Sequence, residues 1–457
     1  MWSPMKSWLF NLIYFGLLTV FSPLLLYRAL KQGKYRRGFK QKYFGRIPRR
    51  RNVLKGRDAD KTFVLWFHAV SVGEVNLLRP LLQRIRETKP DWCCVVSTTS
   101  QTGSDVATKL YGEHHTVFYC PLDFSWAVDK AMQRLRPNML VLAEQELWPN
   151  LIDAAKRYGA KVAVVNGRMS EEGYKRYLWV RPLLVSMFRR LDAVASQNDV
   201  YAGWFRRLGA SSDAIHVIGS MKFDGAVSDR SNPATIRLRE LAGIAENDIV
   251  FLAGSTQSPE ESFAIDVYEH LKAEFPRLRL ILVPRHPERF DEVVAILDSR
   301  KVLWERRSLL KDPSEGEPTE SLDGGCTHKA VRPRILLVDT IGELGAWWGT
   351  ASIAFVGGSM GTRDGQNMIE PAAYGAAVCF GPKTKNFTDI VDLLLRSDAA
   401  QIVHDQREME LFVRRMLEEP DFAQRLGGNA RRLVEEQLGA TERTLHLIES
   451  TLFPDDS

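Results

Sequence analysis

Cysteine is scarce in this chain. There are five in 457 residues, namely Cys93, Cys94, Cys120, Cys326 and Cys379, with no C-x-x-C pair. A disulfide framework and a thiolate zinc site are thereby disfavoured. Four of the five lie in apolar, strand-like runs and read as reduced thiols of a reducing compartment. Cys326 and His328 share a polar loop, but two ligands do not make a zinc site. No H-x-x-x-H occurs, and Asp58-Ala59-Asp60 precedes the first strand, so nothing requires a metal. A Walker loop and a true G-x-G-x-x-G are also missing, which leaves ATPase and dehydrogenase readings without a basis. No internal repeat is found.

Acid is absent from the first 57 residues. Arg28 to Arg57 carries thirteen Lys and Arg, and Lys6 adds one, so the net +6 of the whole chain leaves the remainder at about −8. Cationic charge confined to one terminal tract argues against nucleic acid and for a membrane surface. Just before it, Trp8 to Tyr27 is apolar apart from Asn11, Thr19 and Ser22, and about 20 residues reach across a bilayer core. Aromatics near its ends and the cations that follow predict a retained single-pass anchor or a deeply inserted interfacial helix. The bulk of the chain would then lie in the cytoplasm.

Beyond the basic tract, short apolar runs alternate with amphipathic stretches. The runs are Thr62 to Phe67, Cys93 to Ser97, Thr116 to Tyr119, Met139 to Ala143, Lys161 to Val165, Ala193 to Ser196 and His216 to Ile218. A polar segment intervenes, and the series resumes at Ile249 to Ala253, Leu278 to Val283, Lys301 to Trp304, Ile335 to Val338, Ile353 to Val356 and Val378 to Phe380. Strand-helix alternation predicts an α/β fold of doubly wound parallel sheets. The predicted organisation is an anchor and basic tract over 1–57, a first Rossmann-like domain over 58–227 and a second over 228–457. An insertion over 306–334, rich in Pro, Gly, Ser and acids, decorates the second. Ligands of such sheets sit beyond the carboxyl ends of the strands, in a cleft.

The chemistry-bearing residues cluster at those ends. In Phe67-His68-Ala69-Val70-Ser71-Val72-Gly73-Glu74 a carboxylate follows the first strand, where Gly73 frees the backbone to turn sharply. Glu74 is a candidate general base. Ser71-x-x-Glu74 before an apolar run is equally a capping box, and the two readings stand side by side. Glu144-Gln145-Glu146-Leu147-Trp148-Pro149-Asn150 brings two more acids to the same end, either lining a site or opening a helix. Arg168, in Asn166-Gly167-Arg168-Met169-Ser170, and Lys222, in Gly219-Ser220-Met221-Lys222-Phe223-Asp224, are cationic contacts for an anionic substrate group, or solvated surface charges.

In the second half Gly254-Ser255-Thr256 offers small residues and hydroxyls at a helix entrance, a geometry that suits phosphate. Arg285 and His286, between two prolines, follow the next strand, and Arg285 can make two charge-assisted bonds to phosphate oxygens. Asp339 to Leu344, Gly357-Gly358-Ser359-Met360 and Gly365 to Pro371 supply glycine loops and acids able to accept from ribose hydroxyls. Together these describe a nucleotide-sugar site.

With these motifs in place the chain resembles the 3-deoxy-D-manno-octulosonic acid (Kdo) transferases of lipopolysaccharide synthesis. The resemblance is carried by His68 to Glu74, Glu144 to Asn150, Asn166 to Ser170, Gly219 to Asp224, Pro284 to Pro287, Gly342 to Leu344 and Asn367 to Ala373. It implies a GT-B fold, acceptor on the first domain and CMP-Kdo on the second, anchored at the cytoplasmic face of the inner membrane. It implies inverting transfer of Kdo to the 6′-hydroxyl of a lipid A precursor, without metal or other cofactor. Glu74 would be the base, assisted by Glu144 or Glu146, with Ser71, Gly73, Arg168 and Lys222 on the acceptor side. Ser255, Thr256, Arg285, His286, Gly342, Glu343, Asn367 and Glu370 would hold the donor. Relatives commonly carry Gly-His-Asn where this chain has Gly365-Gln366-Asn367, and Gln366 hydrogen-bonds without carrying charge. Two rivals are another anchored GT-B transferase or epimerase using a UDP-sugar, and a non-enzymatic, membrane-tethered sugar-nucleotide binder.

Overall fold

A strand apolar along its whole length must be covered on both faces, which in a parallel sheet is done by the helices that connect the strands. The computed structural model describes residues 7–16, 19–20, 22, 31, 37–58, 61–310, 333–361 and 363–454, and in it the chain forms two units. One comprises Met1–Asp224 with Gln437–Ser457, the other Gly225–Glu436.

The first unit holds β1 (Phe63–His68), β2 (Trp92–Thr98), β3 (Thr116–Tyr119), β4 (Met139–Ala143), β5 (Lys161–Gly167), β6 (Ala193–Ser196) and β7 (Ile215–Val217). They make a parallel sheet in the order β3-β2-β1-β4-β5-β6-β7. Successive side chains leave a strand on opposite faces. Val64 and Trp66 of β1 accordingly join one buried cluster and Leu65 and Phe67 the other, as do Leu140 and Leu142 against Met139, Val141 and Ala143 of β4. The strand order reverses between β1 and β4, and the crevice at such a switch point is where these sheets bind ligands.

The second unit repeats the plan with β8 (Ile249–Thr256), β9 (Leu278–Pro284), β10 (Trp304–Arg306), β11 (Ile335–Leu337), β12 (Ile353–Val356), β13 (Ala377–Phe380) and β14 (Ala400–Ile402). The order is β10-β11-β9-β8-β12-β13-β14, again parallel, with the reversal between β8 and β12. The α/β expectation therefore holds, as two parallel sheets.

Three details differ from the sequence reading. Strand β14 went unpredicted, because three residues with Gln401 exposed carry little periodic signal. The run at 301–304 in the second series begins pairing only at Trp304. The tail assigned to the second domain ends in a helix, Ala440–Leu452, whose Leu445, Leu447 and Ile448 pack into a cluster of the first sheet.

The expected anchor, Trp8 to Tyr27, lies partly outside the described residues, and among the described residues no helix is long and apolar enough to cross a membrane. Residues 7–16 are helical and dock on the first unit. Phe10 and Asn11 are buried. Asn11 donates to Ser125 Oγ at 2.7 Å and accepts from the Ser125 N–H at 2.9 Å, while the Tyr14 hydroxyl donates to Asp123 at 3.0 Å. Trp8, Leu12 and Phe15 remain exposed on this segment. Residues 311–332 of the expected insertion, with Cys326, lie outside the described residues. Cys94, Cys120 and Cys379 are buried free thiols, and Cys93 is partly buried.

Candidate active site

In the first unit, β1 ends at His68 and the helix Val72–Thr88 begins with Ser71 as its N-cap. The capping-box reading of Ser71-x-x-Glu74 is realised. The Glu74 N–H donates to Ser71 Oγ at 3.2 Å, the Ser71 hydroxyl donates to Glu74 Oε1 at 2.7 Å, and the Val70 N–H donates to Oε2 at 2.8 Å. Gly73 makes no sharp turn. It lies in the first helical turn without a positive φ, and a Cβ there would meet only Ser71 Oγ at 3.7 Å. Burial pushes the Glu74 carboxyl above its usual range, opposed by the Val70 and Ser71 bonds and reinforced by the charge of Glu144. A half-buried carboxylate raised in this way is a stronger proton acceptor than one in water.

The acids after β4 separate into two roles. Glu144 has φ +53°, a left-handed conformation unusual for a side-chain-bearing residue. Its buried carboxylate receives Arg168 Nε at 2.7 Å, Lys222 Nζ at 3.2 Å and Asn166 Nδ2 at 3.4 Å. Asn166 in turn accepts from the Met221 N–H at 3.0 Å. Glu144 thus ties together three of the four motifs of this half, and Arg168 and Lys222, expected as substrate contacts, both face it. Glu146 receives Trp148 Nε1 at 2.9 Å. Burial, the Glu74 charge and, less, that of Glu144 push its pKa up to about 7, with the Trp148 bond opposing. Glu74 lies near enough for its charge to raise Glu146.

Neither acid caps the next helix. Pro149–Arg157 is capped from outside by Asp123, which accepts the Asn150 N–H at 3.0 Å and the Leu151 N–H at 2.8 Å. Sequence reasoning passed over Asp123, although it stands just beyond the end of β3. His68 was quoted only as part of a motif. It is fully buried, its Nδ1 is 2.9 Å from Ser97 Oγ, and its ring lies edge-on to Trp148 with centroids 6.5 Å apart. Burial lowers its pKa to about 4, so the imidazole is neutral.

In the second unit Gly254-Ser255-Thr256 is not a helix entrance. The strand runs through Thr256, Ser255 and Thr256 are buried, and the helix Glu260–Leu271 starts four residues later. At its head stands Glu260, a fully buried residue that sequence reasoning missed. Its carboxylate accepts the N–H groups of Gln257 (2.9 Å), Gly358 (2.8 Å), Ser359 (3.0 Å) and Met360 (2.9 Å). The amides of the 357–360 glycine loop, expected to let the backbone approach a ligand, are therefore bonded to a side chain. Gly357 is required here, since a Cβ would stand 2.6 Å from Thr256 Cα and 2.8 Å from Glu260 Oε2.

Arg285 and His286 are exposed beyond β9, with the Arg285 N–H donating to Thr256 O at 3.1 Å. Glu370 accepts from Asn367 Nδ2 at 3.0 Å. Burial raises its pKa, while the Asn367 bond and the Arg285 charge pull it down, so the structure brings Arg285, Asn367 and Glu370 into one neighbourhood. Gly342 has φ +92°. Glu343 is held by Arg307 at 2.7 and 3.0 Å and by Thr340 Oγ1 at 2.6 Å. Burial pushes its carboxyl up, but these bonds and the Arg307 charge prevail and keep it below the usual range.

Residues 37–225 match the family model for 3-deoxy-D-manno-octulosonic-acid transferase (kdotransferase). The 3-deoxy-D-manno-octulosonic acid transferase of Bordetella pertussis is 32% identical over 396 residues, covering 85% of this chain and 87% of that protein. The enzyme of the same name from Haemophilus influenzae is 27% identical over 449 residues, covering 97% and 99%. A glycosyltransferase from Rickettsia africae superposes with a TM-score of 0.51 at 13% identity, over 86% of this chain and 99% of that one, a likeness of fold.

Proposed function

The chain belongs to the 3-deoxy-D-manno-octulosonic acid transferase family, and from that premise we propose that it transfers Kdo from CMP-Kdo, with inversion, to the 6′-hydroxyl of a lipid A precursor. The observation that carries the mechanism is the contrast among the three acids of the first unit. Glu144 is neutralised by Arg168 and Lys222, whereas Glu74 is bonded by the Val70 N–H and the Ser71 hydroxyl and is raised by burial.

In this reading the acceptor hydroxyl oxygen attacks the anomeric carbon of Kdo as the bond from that carbon to the phosphate oxygen breaks. The bonding pair leaves with CMP, and the hydroxyl proton passes to Glu74. A hydroxyl is a weak nucleophile at neutral pH, and a positioned base contributes about 10² to 10⁴-fold. Glu146 holds a proton near neutrality and limits the charge beside the base. On the donor side Arg285 and His286 receive the CMP phosphate and its developing charge, with Asn367 and Glu370 on phosphate and ribose. Ser255 and Thr256 are buried and sit beneath this surface. Gly342 gives its loop the turn it needs near the nucleotide, and Glu343, engaged by Arg307, shapes that loop.

The lipid acceptor calls for a membrane surface, and the exposed Trp8, Leu12, Phe15 and Trp126, with the cationic tract of 28–57, suit an anionic leaflet on the cytoplasmic side. The UDP-sugar rival shares the fold, so nucleotide choice is the test. Purified protein is offered a tetraacylated lipid A precursor with CMP-Kdo or with UDP-sugars, and product mass is followed. Addition of Kdo from CMP-Kdo alone supports the proposal; transfer or epimerisation of a UDP-sugar with no Kdo addition overturns it.

A further inference from the structure

The switch point of the second sheet lies between β8 and β12, and the loops leaving those strands meet at Glu260. An anion at a helix N-terminus above a glycine loop is the arrangement by which many α/β proteins hold phosphate. Here the anion is a side chain of the protein. Glu260 is fully buried, and its two oxygens accept four backbone N–H groups, three of them from Gly358, Ser359 and Met360, about a hundred residues along the chain. The Ser359 hydroxyl donates to Val356 O at 2.7 Å and accepts from the Gly381 N–H at 2.8 Å, which carries the same restraint to the end of β13.

The adjacent Glu261 is also fully buried and takes Arg289 at 2.9 and 3.3 Å. Arg289 closes the short turn Pro287–Arg289 that follows Arg285 and His286. Two consecutive carboxylates thus brace two different loops at the carboxyl edge of one sheet. A buried carboxylate satisfied by several N–H groups is costly to disturb, because removing its charge leaves donors facing nothing.

We propose that Glu260 is a positioning residue for the donor nucleotide: it occupies the helix-head anion position and fixes the 357–360 loop, so that CMP binds beside this loop, on the Arg285 and Glu370 side, instead of on its amides. Glu261 fixes the Arg285-His286 turn through Arg289 in the same way. This inference rests on the reading of the second unit as the CMP-Kdo site.

Two measurements on the full-length protein test it. In the wild type, hydrogen exchange of the Gly358, Ser359 and Met360 amides is followed without and with CMP. Slow exchange already present without CMP is expected. Fast exchange that becomes slow only when CMP is added would make these amides the phosphate cradle and overturn the proposal. In Glu260→Gln the expected result is at least tenfold weaker CMP binding by calorimetry and an equal rise in donor KM, with acceptor KM within twofold and partial recovery in Glu260→Asp. Unchanged CMP affinity in a folded Glu260→Gln overturns the positioning role. Arg285→Ala is the control for the underlying reading. If it weakens CMP binding while Glu260→Gln does not, only the present inference fails; if Arg285→Ala binds CMP as tightly as wild type, the donor-site reading fails and this inference with it.

Discussion

Arg168 places its Nε 2.7 Å from a carboxylate oxygen of the largely buried Glu144, an ion pair that sets Glu144 apart from the other acid that follows β4, Glu146, whose carboxylate receives Trp148 Nε1. Removing Arg168 loses a charge-assisted bond while Lys222 and Asn166 still face Glu144, at a cost of about 1.5 kcal/mol. Arg168→Met is expected to destabilise the first unit by about that amount, and Glu144→Gln combined with Arg168→Met by less than the sum of the single changes. Denaturant unfolding of the four proteins of this cycle measures the coupling.

The pH dependence of kcat/KM separates the two acids that follow β4. Glu144 raises the Glu74 pKa, so Glu144→Gln removes a negative neighbour and also leaves Arg168 and Lys222 uncompensated. Both effects favour the Glu74 carboxylate. The acid limb of the profile is expected to move to lower pH. Glu146→Gln mimics the protonated form of a group that titrates at about 7. It is expected to erase an inflection near neutrality and leave the acid limb in place. An unmoved limb in the first variant would place Glu74 outside the proton transfer.

Asp123 caps the helix Pro149–Arg157 from another element and receives Tyr14 from the N-terminal helical stretch. Asp123→Ala deletes the cap and strands two N–H groups. The expected loss is about 2 kcal/mol, seen as a lower melting temperature. Tyr14→Phe removes one bond and is expected to cost about 1 kcal/mol.

How much of this was legible beforehand varied with the range of the interactions. Strands such as Met139–Ala143 and Ile353–Val356 were readable to the residue, because a run buried on both faces is apolar throughout. Glu74 was legible because its partners Val70 and Ser71 are its neighbours in sequence. Glu144 and Glu146 looked alike, since their difference lies in Arg168 and Lys222, brought in by later strands. Glu260 and Asp123 left little local trace. Apart from Gln257, three residues before Glu260, the backbone groups they hold stand about 100 and 27 residues away. The helix Ala440–Leu452 showed its apolar stripe plainly, but a stripe does not say which sheet it covers.

Membrane association tests the exposed face of the N-terminal stretch. Trp8→Ser, Leu12→Ser and Phe15→Ser together are expected to lower co-sedimentation with anionic vesicles at least fivefold. Raised salt is expected to weaken binding of the wild type to anionic vesicles more than to neutral ones. Equal sedimentation of variant and wild type would leave that face without a role in binding the bilayer.

The central claim is that Glu74 takes the acceptor proton. The most direct test compares wild type with Glu74→Gln in transfer from CMP-Kdo to a tetraacylated lipid A precursor, following product mass and measuring CMP affinity on the same preparations. The account predicts a Kdo-bearing product from the wild type, a rate reduced about 10² to 10⁴-fold in the variant, and CMP affinity unchanged within twofold. Transfer by Glu74→Gln at the wild-type rate would contradict it.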